Sequence, residues 1–404
     1  MDSRLLPLVS IVTPVYNDAA NLAECIESVL AQTYQNWDYT IVDNCSTDGS
    51  VEIARRYAAK DSRIRVHENE HFLRAIPNHN VALRQISPES KYCKIVFADD
   101  WIFPQCLEQM LSVAEEHPSV GIVGAYGLQE HEVMWAGLPY PSSLVSGRAV
   151  CRKLFLDGMY VFGTSTSVLY RSDLVRSRDP FYNEANLHAD MEACVVLLKT
   201  CDFGFVHQIL TFKRMRLGSL GTITEDLNTL IAGHLHNLLT HGSEFLTKKE
   251  YEGCLHRSVC EYYNFLAVSL MQGRRDKKFW DYHKRKLTEA GVGFGRFRLA
   301  RAALARLCRA VLSPYETIHT LRKGRNLAVA QVANETVGAS QSPVRASGIR
   351  WDKDAQSRPG RNTEPEAVQK RNCTRGPEGD AIRAGTENGT RKVEKALGSG
   401  APSK

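Results

Sequence analysis

No stretch of this 404-residue chain approaches the run of about 18–20 apolar residues that a membrane-spanning helix needs. Residues 1–7 hold one arginine and lead straight into a strand-like pattern, without the basic start, long apolar stretch and small-residue cleavage site of a secretion signal. The 11 cysteines are an odd number, and they form no Cys-x-x-Cys pair and no cluster with histidine. A zinc site and a disulfide framework are therefore not expected. Cys25, Cys106 and Cys194 fall within apolar helical patterns and read as small core residues. These absences predict a reducing, cytoplasmic setting. No internal repeat is visible. From about residue 326 onward apolar residues give way to Gly, Ser, Pro, Arg and Glu, a composition that predicts disorder. Aromatic residues are too sparse in that tail to stack on bases, so no nucleic-acid partner is expected. Its Asn-x-Ser/Thr triplets, such as Asn388-Gly389-Thr390, read as chance in a cytoplasmic protein.

What is present suffices for a sizeable core: 43% of residues are apolar, and the length allows two domains. The formal net charge of +6 gathers largely after about residue 290, so it says little about the N-terminal half. The first 125 residues alternate strand and helix signals. Strands are predicted over 9–13 (stopping at Pro14), 39–42, 63–67, 94–98 and 120–125. Between them fall a helix capped by Asn21 with Glu24 three residues on, a helix from Ser50, a short helix over 77–84 opening at its proline, and one over 104–116. This βαβα order argues a mostly parallel sheet with helices on both faces. Residues 126–225 break the pattern: Gly, Pro and Ser interrupt it between 137 and 147, a loop and strand follow over 158–170, then a helix over 186–200 and a strand over 203–212. Residues 226–290 read as all-helical. In 294–312, Phe297, Leu304, Cys308 and Val311 share one face while Arg298, Arg306 and Arg309 project from the other. That is a basic amphipathic helix, which suits either an anionic membrane surface or docking on the rest of the chain.

Two of the predicted strands stop at carboxylates. Asp43 ends the run Tyr39-Thr40-Ile41-Val42, and Asp99-Asp100 follows Ile95-Val96-Phe97-Ala98. Open α/β sheets bind ligands at the carboxyl edge of their strands, and carboxylates there need a cation or a donor to meet them. A divalent cation bridging a diphosphate would satisfy Asp99, and a nucleobase N–H would satisfy Asp43. The pattern points to an activated, nucleotide-linked donor.

The same residues carry a resemblance. Val9-Ser10-Ile11-Val12-Thr13-Pro14-Val15-Tyr16-Asn17 resembles the opening strand of family 2 glycosyltransferases. Asp43-Asn44-Cys45-Ser46-Thr47-Asp48-Gly49-Ser50 resembles their second-strand acidic segment, at a fitting distance. Phe97-Ala98-Asp99-Asp100, with Pro104 and Leu107, resembles their Asp-x-Asp region and the helix after it, and His188-Ala189-Asp190 resembles the segment that supplies the catalytic base. The likeness spans about residues 8–225, with all four segments in order.

The resemblance implies a GT-A fold, a nucleotide-sugar donor with a lean to UDP, usually a divalent Mg²⁺ or Mn²⁺, and inversion at the anomeric carbon. It implies Asp99 as first metal ligand and Asp100 as second, against the competing reading of a pair capping the helix near Pro104. Asp43 becomes the base-binding carboxylate, against a turn-forming Asp. Pro14, Tyr16 and Asn17 line the same pocket, and Arg74 and Asn78 fall where polar donor contacts are common. Asp190 becomes the general base, against a charge that complements a helix N-terminus; Glu192 is a weaker rival. Gly163, Thr164 and Ser165 would shape the sugar or acceptor pocket. The chain departs from the family in two places. Phe97 stands where many relatives carry the first Asp of Asp-x-Asp, and phenylalanine cannot ligate a metal. In Lys213-Arg214-Met215-Arg216, Arg216 stands at a position where relatives often have histidine; it would either contact the donor phosphate directly or belong to a solvated basic loop.

The expected architecture is a GT-A-like α/β domain over 1–225 (a nucleotide-binding half 1–125 and an acceptor half 126–225), a helical extension over 226–325 and a disordered tail over 326–404. The expected function is sugar transfer to an acceptor hydroxyl in glycan or surface-polysaccharide assembly, on a glycan or lipid-linked acceptor, at the inner face of a membrane. The alternatives are a non-catalytic nucleotide-sugar-binding or membrane-tethered module, which Phe97 favours and Asp190 opposes, and a nucleotidyltransferase. The latter needs a Gly-rich basic loop after the first strand, and none is evident.

Overall fold

The computed structural model describes residues 6–215 and 227–312. Arg216 and the expected tail over 326–404 lie outside them. In chain order the elements are β1 (Val9–Val15), α1 (Ala19–Leu30), β2 (Trp37–Asp43), α2 (Ser50–Ala58), β3 (Ile64–Glu68), α3 (Ala75–Arg84), β4 (Tyr92–Ile95), β5 (Trp101–Ile102), α4 (Cys106–Glu116) and β6 (Val120–Gln129). There follow β7 (Glu132–Met134), β8 (Leu144–Val145), α5 (Gly147–Asp157), a 3₁₀ turn (Ser165–Ser167), β9 (Val168–Arg171), α6 (Ser172–Arg176), α7 (Ala189–Leu197) and β10 (Asp202–Lys213). The helical extension supplies α8 (Leu230–Phe245), α9 (Lys248–Met271), α10 (Lys277–Glu289) and α11 (Arg296–Leu312).

One sheet runs β3-β2-β1-β4-β9-β6-β10-β5. β3, β2, β1 and β4 are parallel, β9 is antiparallel to both β4 and β6, and β6 and β10 are parallel to each other. All seven residues of β1 are buried, as a strand covered on both faces requires. Val12, Val42 and Ile95 point to the side packed by α3, α5 and α7. Val9, Ile11 and Ile41 point to the side packed by α1 and α4. Cys25, Cys106 and Cys194 lie in these cores, as the sequence suggested.

Several expected boundaries are corrected. β1 passes through Pro14 to Val15, because Pro14 sits at the last turn of the parallel ladder where little pairing remains to lose. Helix α1 starts at Ala19 with Asp18 as its cap residue; Asn21 is already inside it and donates to Asp18 Oδ1 at 2.7 Å. Helix α3 starts two residues before Pro77, a position in the first turn where the missing N–H has no intrahelical partner to lose. β4 stops at Ile95. Residues 96–100 are a turn, so Asp99 and Asp100 stand beyond the strand rather than at its last residue. Helix α7 covers 189–197 of the expected 186–200.

The extension is built onto the acceptor half. Arg152 of α5 forms a bidentate ion pair with Glu250 of α9 at 2.6 and 3.0 Å, and α9 opens with a capping box between Thr247 and Glu250. Helix α11 docks through Leu299 and Ala302 on the cluster around Tyr262, Tyr263 and Leu266. The face singled out in the sequence points outward where it is described: Phe297 is 82% and Leu304 61% exposed, and Cys308 is exposed; the neighbouring Leu307 is 50% exposed. Among the described residues no helix is long and apolar enough to cross a membrane.

Candidate active site

The carboxyl ends of β1, β2 and β4 meet at one edge, as their parallel pairing dictates. Asp43 is the last residue of β2 and is 4% exposed. Its Oδ2 accepts from the Ser46 N–H at 3.0 Å, while its Oδ1 is buried with no hydrogen-bond partner among the described residues. A buried orphan acceptor carries a desolvation penalty of about 1–3 kcal/mol, and a ligand N–H would relieve it. Pro14 stands beside it, paired in register with Val42. Tyr16 (46% exposed) meets Phe72 (56% exposed) with ring centroids 4.7 Å apart, so two solvent-facing aromatic rings adjoin this end of β1. Phe72 was not singled out in the sequence, because nothing about an isolated Phe in a loop marks it.

Asn17 and Asn78 both make hydrogen bonds within the protein. Asn17 has a left-handed backbone, φ 49°. Its side chain accepts from the Thr47 N–H at 2.7 Å and so braces the loop after β2. Asn78 is buried, accepts from Asn69 Nδ2 at 2.8 Å, and through Asn69 reaches Asn44. Arg74 stands exposed at the residue before α3, with no side-chain capping hydrogen bond.

Asp100 is buried, and both of its oxygens are engaged: Oδ2 accepts from Thr166 Oγ1 at 2.7 Å and Oδ1 from the Arg214 N–H at 3.1 Å. Burial and then the neighbouring charge of Asp99 hold its carboxyl well above the usual range. Arg214 also donates from Nε to the Asp99 carbonyl and pairs with Glu24. Lys94, fully buried, donates from Nζ to the carbonyls of Thr166 and Val168 at 2.6 and 3.1 Å, which fixes the turn that presents Thr166. Asp100 therefore anchors the turn, and Asp99, half-exposed beside it, is the carboxylate that could meet a cation. Phe97 lies against His79 with centroids 4.8 Å apart, and burial drops His79 to about 4, leaving it neutral. Among the described residues no group of three or more His, Cys, Asp and Glu side chains could hold a metal on its own. Asp99 could share a cation with a ligand's phosphate oxygens, and such a set of oxygen ligands would suit Mg²⁺ or Mn²⁺.

Asp190 is the second residue of α7 and half-buried. Burial pushes its carboxyl up to about 6, opposed by the Met191 N–H, which donates to Oδ1 at 2.8 Å, and by the charge of Lys213. Lys213 acts on Asp100 as well. One cation at the end of β10 thus lies within electrostatic reach of both the acidic turn and Asp190. Glu192, the rival, is held elsewhere. Asn186 and Asn183 donate to it at 2.8 and 3.0 Å, and His241 and His236 lie at 3.4 and 3.5 Å. Burial raises its carboxyl, but the hydrogen bonds from His236, His241 and Asn186 outweigh that and hold it far below the ordinary range. It ties α7 to α8.

Residues 10–175 match the family description "Glycosyl transferase family 2". A putative glycosyltransferase, EpsE, of Bacillus subtilis (strain 168) is 32% identical over 153 residues, 36% of this chain and 54% of that protein. Glycosyltransferase GlyG of Streptococcus pneumoniae serotype 4 is 34% identical over 119 residues, 30% of this chain and 39% of that protein. The chain thus spans about half the length, or less, of these relatives. The crystal structure of S. aureus TarS residues 1–349, in complex with UDP-GlcNAc, superimposes with a TM-score of 0.53 at 17% identity, covering 79% of this chain and 92% of that one. The mixed sheet flanked by helices is therefore GT-A-like. Through residues 10–175, with the acidic segments of β2 and the β4–β5 turn inside that span, the chain is similar to glycosyl transferase family 2.

Proposed function

We propose that this protein moves a sugar from a nucleoside-diphosphate donor, with uridine as the preferred nucleoside, to an acceptor hydroxyl with inversion, in the assembly of a glycan or surface polysaccharide. The observation that carries the reading is the orphan Oδ1 of Asp43 at the same sheet edge as Asp99. It supplies the acceptor that a uracil N3–H needs, and Tyr16 and Phe72 supply ring faces beside it. Asp99 and a divalent cation would meet the donor diphosphate; that cation supplies charge for the departing oxygens. Lys213 and Arg214 bring positive charge to the same place, and Arg216 belongs to the same expectation.

Asp190 takes the proton of the acceptor hydroxyl as its oxygen attacks the anomeric carbon. The bond from that carbon to the diphosphate breaks on the opposite face, and the nucleoside diphosphate leaves with the electron pair. A carboxyl at about 6 is ionised at neutral pH yet basic enough to share the proton in the transition state. Asp100 takes no part as a ligand in this account, since its oxygens hold Thr166 and Arg214. A peripheral membrane contact through α11 completes the reading: residues 272–312 carry twelve Lys and Arg against three Asp and Glu, and the exposed apolar stripe of α11 lies within that basic segment. The proposal places the protein in the cytoplasm, at the inner membrane face.

The test is a panel of nucleotide sugars, with hydrolysis and transfer followed with and without Mn²⁺. Turnover of one uridine-linked donor, lost in chelator, is the expected result. Full activity in excess chelator would remove the cation from the reading, and silence towards every donor would favour a binding module instead.

A further inference from the structure

Trp135 follows β7 with φ 67°, a left-handed backbone that aromatic residues rarely adopt. Such strain persists where surrounding structure over-determines it, and it gathers at ligand sites. The surroundings show what holds it. A Cβ at Gly127 would lie 2.5 Å from the indole Nε1, and one at Gly163 would lie 2.9 Å from it, so two glycines from separate segments leave the space the ring fills. Tyr160 meets the indole edge to face with centroids 5.8 Å apart, and its hydroxyl donates to the Gly163 carbonyl at 2.7 Å. The same phenol lies 6.2 Å from the His234 ring and within electrostatic reach of Asp190. One residue after Gly163, the Thr164 hydroxyl is buried with no partner among the described residues, and two residues further Thr166 holds Asp100. A half-buried indole, a phenol and an orphan hydroxyl thus stand together between the acidic turn and the candidate base.

We infer that Trp135, Tyr160 and Thr164 form a sugar-binding platform that seats a pyranose acceptor with one hydroxyl towards Asp190. This rests on the glycosyl-transfer reading and names its acceptor class. A pyranose has a flat C–H face whose hydrogens carry slight positive charge, and an indole face carries the complementary negative charge. Its rim of hydroxyls would satisfy Thr164. The aromatic wall is uncharged: burial, with His234 acting on His188, brings both imidazoles down to about 4. It offers flatness and hydrogen bonds, which suit a neutral sugar, rather than the cations that a lipid phosphate would need.

The test uses the full chain and a set of methyl pyranosides, with ribitol and farnesyl phosphate as non-pyranose probes. Saturation-transfer NMR reads binding, and radiolabelled transfer reads acceptor use. The platform predicts that at least one methyl pyranoside binds and accepts sugar. It predicts that Trp135→Leu raises the acceptor KM about tenfold or more, the order expected for losing an aromatic contact, with the effect on acceptor KM rather than donor KM, and that Trp135→Phe restores most of it. Thr164→Val, which keeps shape, gives a smaller loss of the same kind and serves if Trp135→Leu fails to fold. Pyranoside binding unchanged in both variants, absence of pyranoside binding, or use of ribitol or farnesyl phosphate alone would overturn the platform. If pyranosides bind in a Trp135-dependent way while no nucleotide sugar is turned over, the transfer reading fails and the platform stands.

Discussion

Replacing Asp190 by Asn separates proton transfer from everything else at the site. The asparagine keeps an oxygen for the Met191 N–H, the contact that now holds Oδ1 at 2.8 Å. The fold should therefore survive. Because burial lifts the folded-state carboxyl to about 6, its ionised form is disfavoured in the native protein at neutral pH, by at most about 3 kcal/mol. The neutral amide relieves that penalty, so thermal stability at pH 7 should equal or exceed that of the parent. Transfer should fall sharply: losing a positioned general base removes a factor of about 10²–10⁴ in kcat, or about 3–5 kcal/mol of barrier. The pH dependence supplies the sign. The base works ionised, so the parent's rate should drop as pH falls through about 6 and stand about tenfold below its plateau one pH unit lower. The variant's residual rate should lack that inflection. The assay is single-turnover transfer across a pH series, with nucleotide binding measured alongside. Turnover close to the parent, or an unchanged inflection near pH 6 in the variant, would refute the assignment.

Three further outcomes follow from other parts of the molecule. Asn237 on α8 is buried with both side-chain polar atoms unpartnered among the described residues, so Asn237→Leu should stabilise by about 1–2 kcal/mol in denaturant unfolding; a loss of stability would show that the amide is satisfied in solution. Glu192→Ala should destabilise by about 2–4 kcal/mol, because it strands buried Asn186 and His241, two of the groups that converge on it. The depressed Glu192 carboxyl contributes stability present above its ordinary value of 4.5 and lost as pH falls below it, so the variant should lack that part of the acid destabilisation. The full chain should float with anionic but not neutral vesicles, and Phe297→Ser with Leu304→Ser should weaken this about tenfold or more, since each side chain withdraws about 1.5–3 kcal/mol of apolar burial; equal flotation with neutral vesicles would count against the basic face.

The N-terminal half was legible because its signals are local. Buried parallel strands read as apolar runs, and β1 to β4 with their helices exist in the expected order, with ends shifted by a few residues. The four segments that resemble the family also lie in order on the structure. What the sequence could not show depends on long-range geometry. Asp18 replaces Asn21 as the α1 cap because Ser50 and Asp48, some thirty residues on, bind the backbone amides of Asp18 and Ala19. Asp100 looked like a second ligand, yet Thr166 and Arg214, distant in sequence, occupy it. Trp135 and Tyr160 lie where the pattern of alternating elements breaks, and only the close approach of Gly127 and Gly163 reveals why the indole is there. The outward turn of the α11 stripe was equally invisible, because periodicity identifies a face without saying what it meets.

The central claim is that one sheet edge divides the work: Asp43 and Asp99 hold the donor nucleotide, and Asp190 serves the acceptor. Calorimetric titration of uridine diphosphate into the parent protein, Asp43→Asn and Asp190→Asn, with Mn²⁺ present, tests it most directly. Binding to the parent, weakened about tenfold or more in Asp43→Asn as expected for a lost buried hydrogen bond and unchanged in Asp190→Asn, is the predicted result. Equal affinity in all three, or no binding to the parent, would contradict it.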